Sequence, residues 1–108
     1  MAKLYVVVRD DLPPGLQAAQ ACHAVRQFAS EHRHLEEQWY QLSKTLVLLS
    51  VRDEEELRAM AERLERLGIA VSLNFEPDLH NTATALAALG AEAKRQLRGL
   101  PLMLSALH

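Results

Sequence analysis

Residues 3–30 read KLYVVVRDDLPPGLQAAQACHAVRQFAS, and this stretch decides the architecture. Lys3–Arg9 is a short run of apolar and β-branched residues, the composition of a buried strand. Asp11-Leu12-Pro13-Pro14-Gly15 interrupts it. Proline and glycine mark a turn here, and Pro13 or Pro14 suits a helix start because proline lacks an N–H that the first turn does not need. From Leu16 to about His32 the chain reads as a helix. Ala18, Cys22, Val25 and Ala29 form an apolar stripe at spacings of four, three and four, beside a mostly polar stripe of Leu16, Gln20, His23 and Gln27.

Outward from this unit, Leu35–Leu42 is predicted as a short second helix and Thr45–Val51 as a second strand. Asp53 is placed to cap a helix whose first turn, Glu54-Glu55-Glu56, is favourable to the helix dipole. Leu57, Met60, Ala61 and Leu64 continue that helix and Gly68 is its expected stop. Ile69–Phe75 alternates as a third strand, Glu76–Asn81 is a polar loop, Thr82–Leu89 is read as a fourth strand, and Ala91–Arg98 as a last helix. The order β-α-α-β-α-β-β-α implies an α/β fold, a four-stranded mixed sheet with helices on both faces, in one domain spanning residues 1–108.

The chain carries a net charge of −2, so any nucleic-acid site has to be a local patch rather than a basic surface. The longest strongly apolar stretches, Leu46–Val51 and Leu100–Leu107, fall far short of the ~20 residues that span a bilayer. No secretory signal is read at the N-terminus, and no membrane association is expected. Cys22 stands alone, which precludes an intrachain disulfide and fits a reducing, cytoplasmic compartment. The apolar tail Leu100–Leu107 is expected to pack on the body or on a second subunit.

No zinc, phosphate-loop or nucleophile-elbow motif is present. His32 and His34 lie in a charged stretch too close in sequence to share a helix face, so neither a metal nor any other cofactor is expected. The informative groups are Arg9 at a strand end, Asp11 in the following loop, and Gln20 and His23 one helical turn apart. Two readings stand side by side: a functional cluster, or a surface ion pair of Arg9 with Asp11 next to a satisfied histidine. Trp39 and Tyr40 offer stacking surfaces for an unpaired base, although a core role for the tryptophan is the more ordinary one.

Arg9-x-Asp11-Leu12, the glycine turn, and Ala18-Ala19-Gln20-x-x-His23-Ala24 together resemble the signature of the type-two peptidyl-tRNA hydrolases, and Thr82-Ala83-Thr84-Ala85-Leu86 is similar to that family's later T-x-T-x-L. The resemblance covers nearly the whole chain. It implies hydrolysis of the ester joining a peptide to the 3′ end of tRNA, without a cofactor, by a protein that is commonly a homodimer. His23 would be the general base or orient the attacking water, and Asp11 or Asp78 would hold that water. Gln20 and Thr84 would donate to the developing oxyanion, and Arg9 and Arg26 would contact phosphate. Glu76 and Thr82 complete the expected substrate site. Two positions depart from the family pattern. Leu16 stands where the family has a lysine, and the loop Glu76-Pro77-Asp78-Leu79-His80-Asn81 lacks the family's D-A-G context, leaving Asp78 or Glu76 as its carboxylate. These departures favour the alternative, a non-catalytic RNA- or protein-binding module on the same scaffold.

Overall fold

The computed structural model describes residues 2–105. Its elements are β1 (Leu4–Arg9), α1 (Pro14–Glu31), α2 (Arg33–Leu42), β2 (Leu46–Val51), α3 (Glu54–Arg66), β3 (Val71–Glu76), a 3-10 turn (Pro77–Leu79), β4 (Thr82–Leu89) and α4 (Ala91–Leu97). The element order is the one expected, with the third strand starting two residues later than its apolar run suggested, at Val71.

The sheet order is β2-β1-β4-β3. β1 pairs with β2 in parallel and with β4 antiparallel, and β3 pairs antiparallel with β4. β1 and β4 are therefore central and covered on both sides, which is why their interior positions are apolar on both faces instead of alternating, with Thr84 of β4 the buried polar exception. Leu4, Val6, Val8, Ala85 and Ala87 meet Ala21, Ala24 and Phe28 of α1 and Trp39 of α2. On the other face Tyr5, Val7, Leu86 and Ala88 meet Leu57, Met60, Ala61 and Leu64 of α3, with Ala93 and Leu97 of α4.

The local signals for α3 act as expected. Asp53 accepts a hydrogen bond from the Glu56 N–H at 2.9 Å, and Gly68 takes φ +73° just beyond the helix, a left-handed conformation that glycine adopts without a Cβ penalty. α1 differs in one respect. Its buried residues are Gln17, Gln20, Ala21, Ala24 and Phe28, whereas Ala18 and Cys22 of the apolar stripe are exposed. The helix turns a partly polar face to the sheet.

Both sheet edges are occupied. Along β2, Ser50 N–H donates to Pro101 O and Met103 N–H to Leu48 O, each at 2.9 Å. The tail thus packs on the body through Met103, while Ala106 and Leu107 of the expected packing segment lie outside the described residues. Along β3, Gln27 Nε2 donates to Leu73 O at 3.1 Å and His32 Nε2 lies 3.1 Å from Val71 O. A carbonyl only accepts, so that His32 nitrogen carries the hydrogen. Side chains and tail thereby take up backbone groups that an open edge would offer to another strand. Among the described residues no helix is long and apolar enough to cross a membrane.

Candidate functional site

β1 and β3 end, and β4 begins, at the same end of the sheet, so Arg9, Glu76 and Thr82 converge there, and Glu76 faces Thr82 in the ladder. The middle of α1 supplies Gln20 and His23 to the same place.

Arg9 binds Asp11 in a two-pronged ion pair, Nε to Oδ1 at 2.7 Å and Nη2 to Oδ2 at 2.9 Å. Its Nη1 donates to Thr82 Oγ1 at 3.3 Å and to Ala83 O at 3.2 Å. Four of its five N–H groups are thereby used inside the protein. The Arg9 hydrogen bond holds the Asp11 carboxyl below the usual carboxylate range, and the same bond raises the guanidinium above its ordinary value. Arg9 thus splices the end of β1 to the start of β4. Thr82 spends its own hydrogen on Leu79 O at 2.8 Å. On the opposite flank, Glu54 accepts the Ala83 N–H at 2.9 Å, and that bond keeps its carboxyl lowered.

Beside this splice lies a chain of polar side chains. Asn74 Nδ2 donates to Gln20 Oε1 and to Thr84 Oγ1, both at 3.0 Å, and the Thr84 hydroxyl donates to Gln20 Oε1 at 2.7 Å. Gln20 Nε2 donates to Glu76 Oε1 at 2.8 Å. Glu76 Oε2 accepts the Asp78 backbone N–H at 3.2 Å. The Gln20 bond first, and the Asp78 N–H second, lower the Glu76 carboxyl below its usual range. His23 stands over the end of the chain, with Nε2 3.9 Å from Glu76 Oε1 and its side chain 57% exposed.

Of the residues singled out from the sequence, Arg9, Asp11 and Thr82 form one contact group and Gln20, His23, Glu76 and Thr84 an adjoining one, linked where β3 and β4 meet. Thr84 is fully buried with its hydrogen committed to Gln20, and Gln20 is 1% exposed, so neither presents a donor to the cleft surface. Asp78 contributes its backbone N–H and is exposed. Arg26 stands apart. It borders a groove of about 500 Å³ on the other flank of α1, with Ala18, Cys22, Val25, Leu46 and Met103. Trp39 is buried and donates from Nε1 to Thr45 O at 2.9 Å, a core residue unavailable for base stacking, while Tyr40 is exposed. Among the described residues no group of three or more histidines, cysteines or carboxylates is arranged to hold a metal ion.

Asn74 and Glu54 belong to this site and were not singled out from the sequence. The signal for Asn74 was present: Ser72, Asn74 and Glu76 put polar residues at alternate positions of a strand, opposite a helix stripe carrying Gln20 and Gln27. For Glu54 the acidic first turn hid its specific partner, Ala83.

A family model described as peptidyl-tRNA hydrolase PTH2 matches residues 2–98. Among solved structures, a protein of unknown function from Agrobacterium tumefaciens strain C58 superposes with a TM-score of 0.69 at 16% identity, over 94% of this chain and 96% of that one, a likeness of fold. No curated protein matches the chain.

Proposed function

The chain belongs to the peptidyl-tRNA hydrolase PTH2 family, and from that membership we propose that it hydrolyses the ester joining a peptide to the 3′ end of tRNA. The observation that supports this reading is the pairing of an accessible imidazole, His23, with a carboxylate, Glu76, that two hydrogen bonds keep ionised. His23 takes the proton of the attacking water, and Glu76 balances the imidazolium that results. Their 3.9 Å separation is longer than a hydrogen bond, and catalytic bonds commonly tighten only when substrate is present. Asp78 lies on the loop that borders Glu76, where it can hold the water from the far side. Asp11 acts at one remove by holding Arg9. Gln20 and Thr84 aim the carboxylate from beneath. Arg26 meets a backbone phosphate outside the cleft. The reaction uses no cofactor, takes place in one domain, and belongs in the cytoplasm.

The test is incubation of the pure protein with labelled peptidyl-tRNA. Wild type releases peptide, and His23→Ala and Glu76→Gln each lower the rate by about a hundredfold or more, the range for loss of a general base. Equal rates for wild type and His23→Ala would remove His23 from the mechanism.

Two observations favour a second reading, a binding module on the same scaffold: Arg9 has a single N–H left for a phosphate, and Leu16 occupies the place of the lysine in the resembled motif. A wild type indistinguishable from buffer, with its circular dichroism intact, would establish that reading.

The homodimer that the resemblance implies is supported by the groove beside α1. Leu46 is 43% exposed there, and Arg26, Arg33, Glu36 and Glu37 line the adjoining surface without an ion pair to one another among the described residues. Two cations beside two carboxylates can satisfy a two-fold copy of themselves, as an isologous contact requires.

A further inference from the structure

Charge dictates the direction of every hydrogen bond in the polar chain beneath His23. An ionised carboxylate only accepts, so Glu76 requires the NH2 end of Gln20, and the Gln20 carbonyl oxygen must then face the other way and receive donors. It receives two, Asn74 Nδ2 at 3.0 Å and Thr84 Oγ1 at 2.7 Å. The two donors are not equivalent. A hydroxyl can turn and accept instead, so Thr84 would serve either orientation of the Gln20 amide. An amide NH2 only donates, so Asn74 as it stands serves one orientation, and reversing Gln20 would require the Asn74 amide to turn as well, losing its bond to Thr84. Gln20 and Thr84 are 1% and 0% exposed, leaving a reversed amide with little access to bulk water as a substitute partner.

We infer that Asn74 is a positioning residue: by donating to both Gln20 Oε1 and Thr84 Oγ1 it holds the Gln20 amide with its NH2 toward Glu76, and so aims the Glu76 carboxylate at His23. Its place in the strand equips it for this. Asn74 sits at the register shift between Asn74 and Phe75, in a strand that α1 covers, one alternation before Glu76. The role deepens the hydrolase proposal, since it rests on His23 and Glu76 being the working pair. Its test needs no hydrolysis and therefore fails separately.

Titration of the Glu76 carboxyl and the His23 ring by NMR in Asn74→Leu reads the effect directly. Leucine keeps the approximate volume and removes both donors. The Glu76 midpoint is expected to rise by about half a pH unit or more, because a hydrogen bond favouring the charged form is weakened. The Gln20 side-chain NH2 signals should move with it. Gln41→Leu, which removes an exposed amide on α2, should leave both titrations unchanged. Asn74→Thr, which suits a strand and retains one hydroxyl donor, should give an intermediate midpoint and covers the case in which leucine does not fold. A folded Asn74→Leu or Asn74→Thr in which Glu76, His23 and the Gln20 NH2 behave as in wild type, whatever the loss of stability, would overturn the inference and leave Asn74 a purely structural residue.

Discussion

The two flanks of α1 reverse the usual relation between polarity and burial. Toward β3 the helix presents Gln20, Gln27 and His23, and the first two of these are tied by hydrogen bonds to Asn74, Thr84, Glu76 and the Leu73 carbonyl. Toward β2 it presents Ala18, Cys22, Val25 and Ala29, which line an open groove. Burying amides costs free energy unless every donor and acceptor is met, and at Gln20 both ends are. The apolar flank has no comparable cover among the described residues. A polar surface was thus taken inside, and an apolar one left exposed.

The contrast can be broken from the polar side first. Leu16→Lys should raise hydrolysis, since one charge-assisted contact in a partly dry cleft is worth about 1.5–3 kcal/mol, or roughly ten- to a hundredfold in rate. Unchanged or lower turnover would show that Leu16 does not occupy a substrate-facing position. Thr84→Val keeps shape and removes the hydroxyl that donates to Gln20 and accepts from Asn74. Orphaning buried polar atoms costs about 1–3 kcal/mol, which urea unfolding would report. A cost near zero would mean that water enters the chain.

The apolar side gives smaller effects on the folded chain. Leu46→Glu puts a charge at the groove, where Leu46 is already 43% exposed. Stability should change by no more than about 0.5 kcal/mol, as for ordinary surface substitutions, while sedimentation shows dimer lost. Retention of a dimer would move the interface elsewhere.

The effect at the splice is modest and is read through pH. The folded-state titration of Asp11 is depressed by Arg9, so its contribution is present above the unfolded carboxylate range and lost as pH falls through the depressed value. Glu76 and Glu54 have the same sign. Stability should therefore decline on acidification below about pH 5, and Asp11→Asn should flatten that decline while costing under about 1 kcal/mol at neutral pH, as befits a partly exposed pair. An unaltered acid slope would show the pair to be uncoupled from folding.

Much of the fold was legible because its signals are local. A valine run, a Pro-Pro helix start, an Asp53 cap and a Gly68 stop each act within a few residues, and each sits where the chain needs it. The motif around Gln20 and His23 could be read for the same reason, since one helical turn fixes their spacing. Which flank of α1 is buried was not local. Periodicity distinguishes a polar stripe from an apolar one, but both stripes run the length of the helix. The outcome depended on β3 bringing Asn74 and Glu76 beneath the polar one. The carboxylate nearest His23 was likewise tertiary: the sequence pointed to Asp11 or Asp78 for the water, with Glu76 in the substrate site. Arg9 meets Asp11 locally, two residues on, whereas the tertiary fold left Asp78 exposed and set Glu76 beside His23. Sequence alone determined the elements and their order, because those follow from contacts a few residues apart. Only the tertiary structure decided the partners of each polar group, because Gln20 to Glu76 and Gln20 to Thr84 are contacts across 56 and 64 residues that no local pattern encodes.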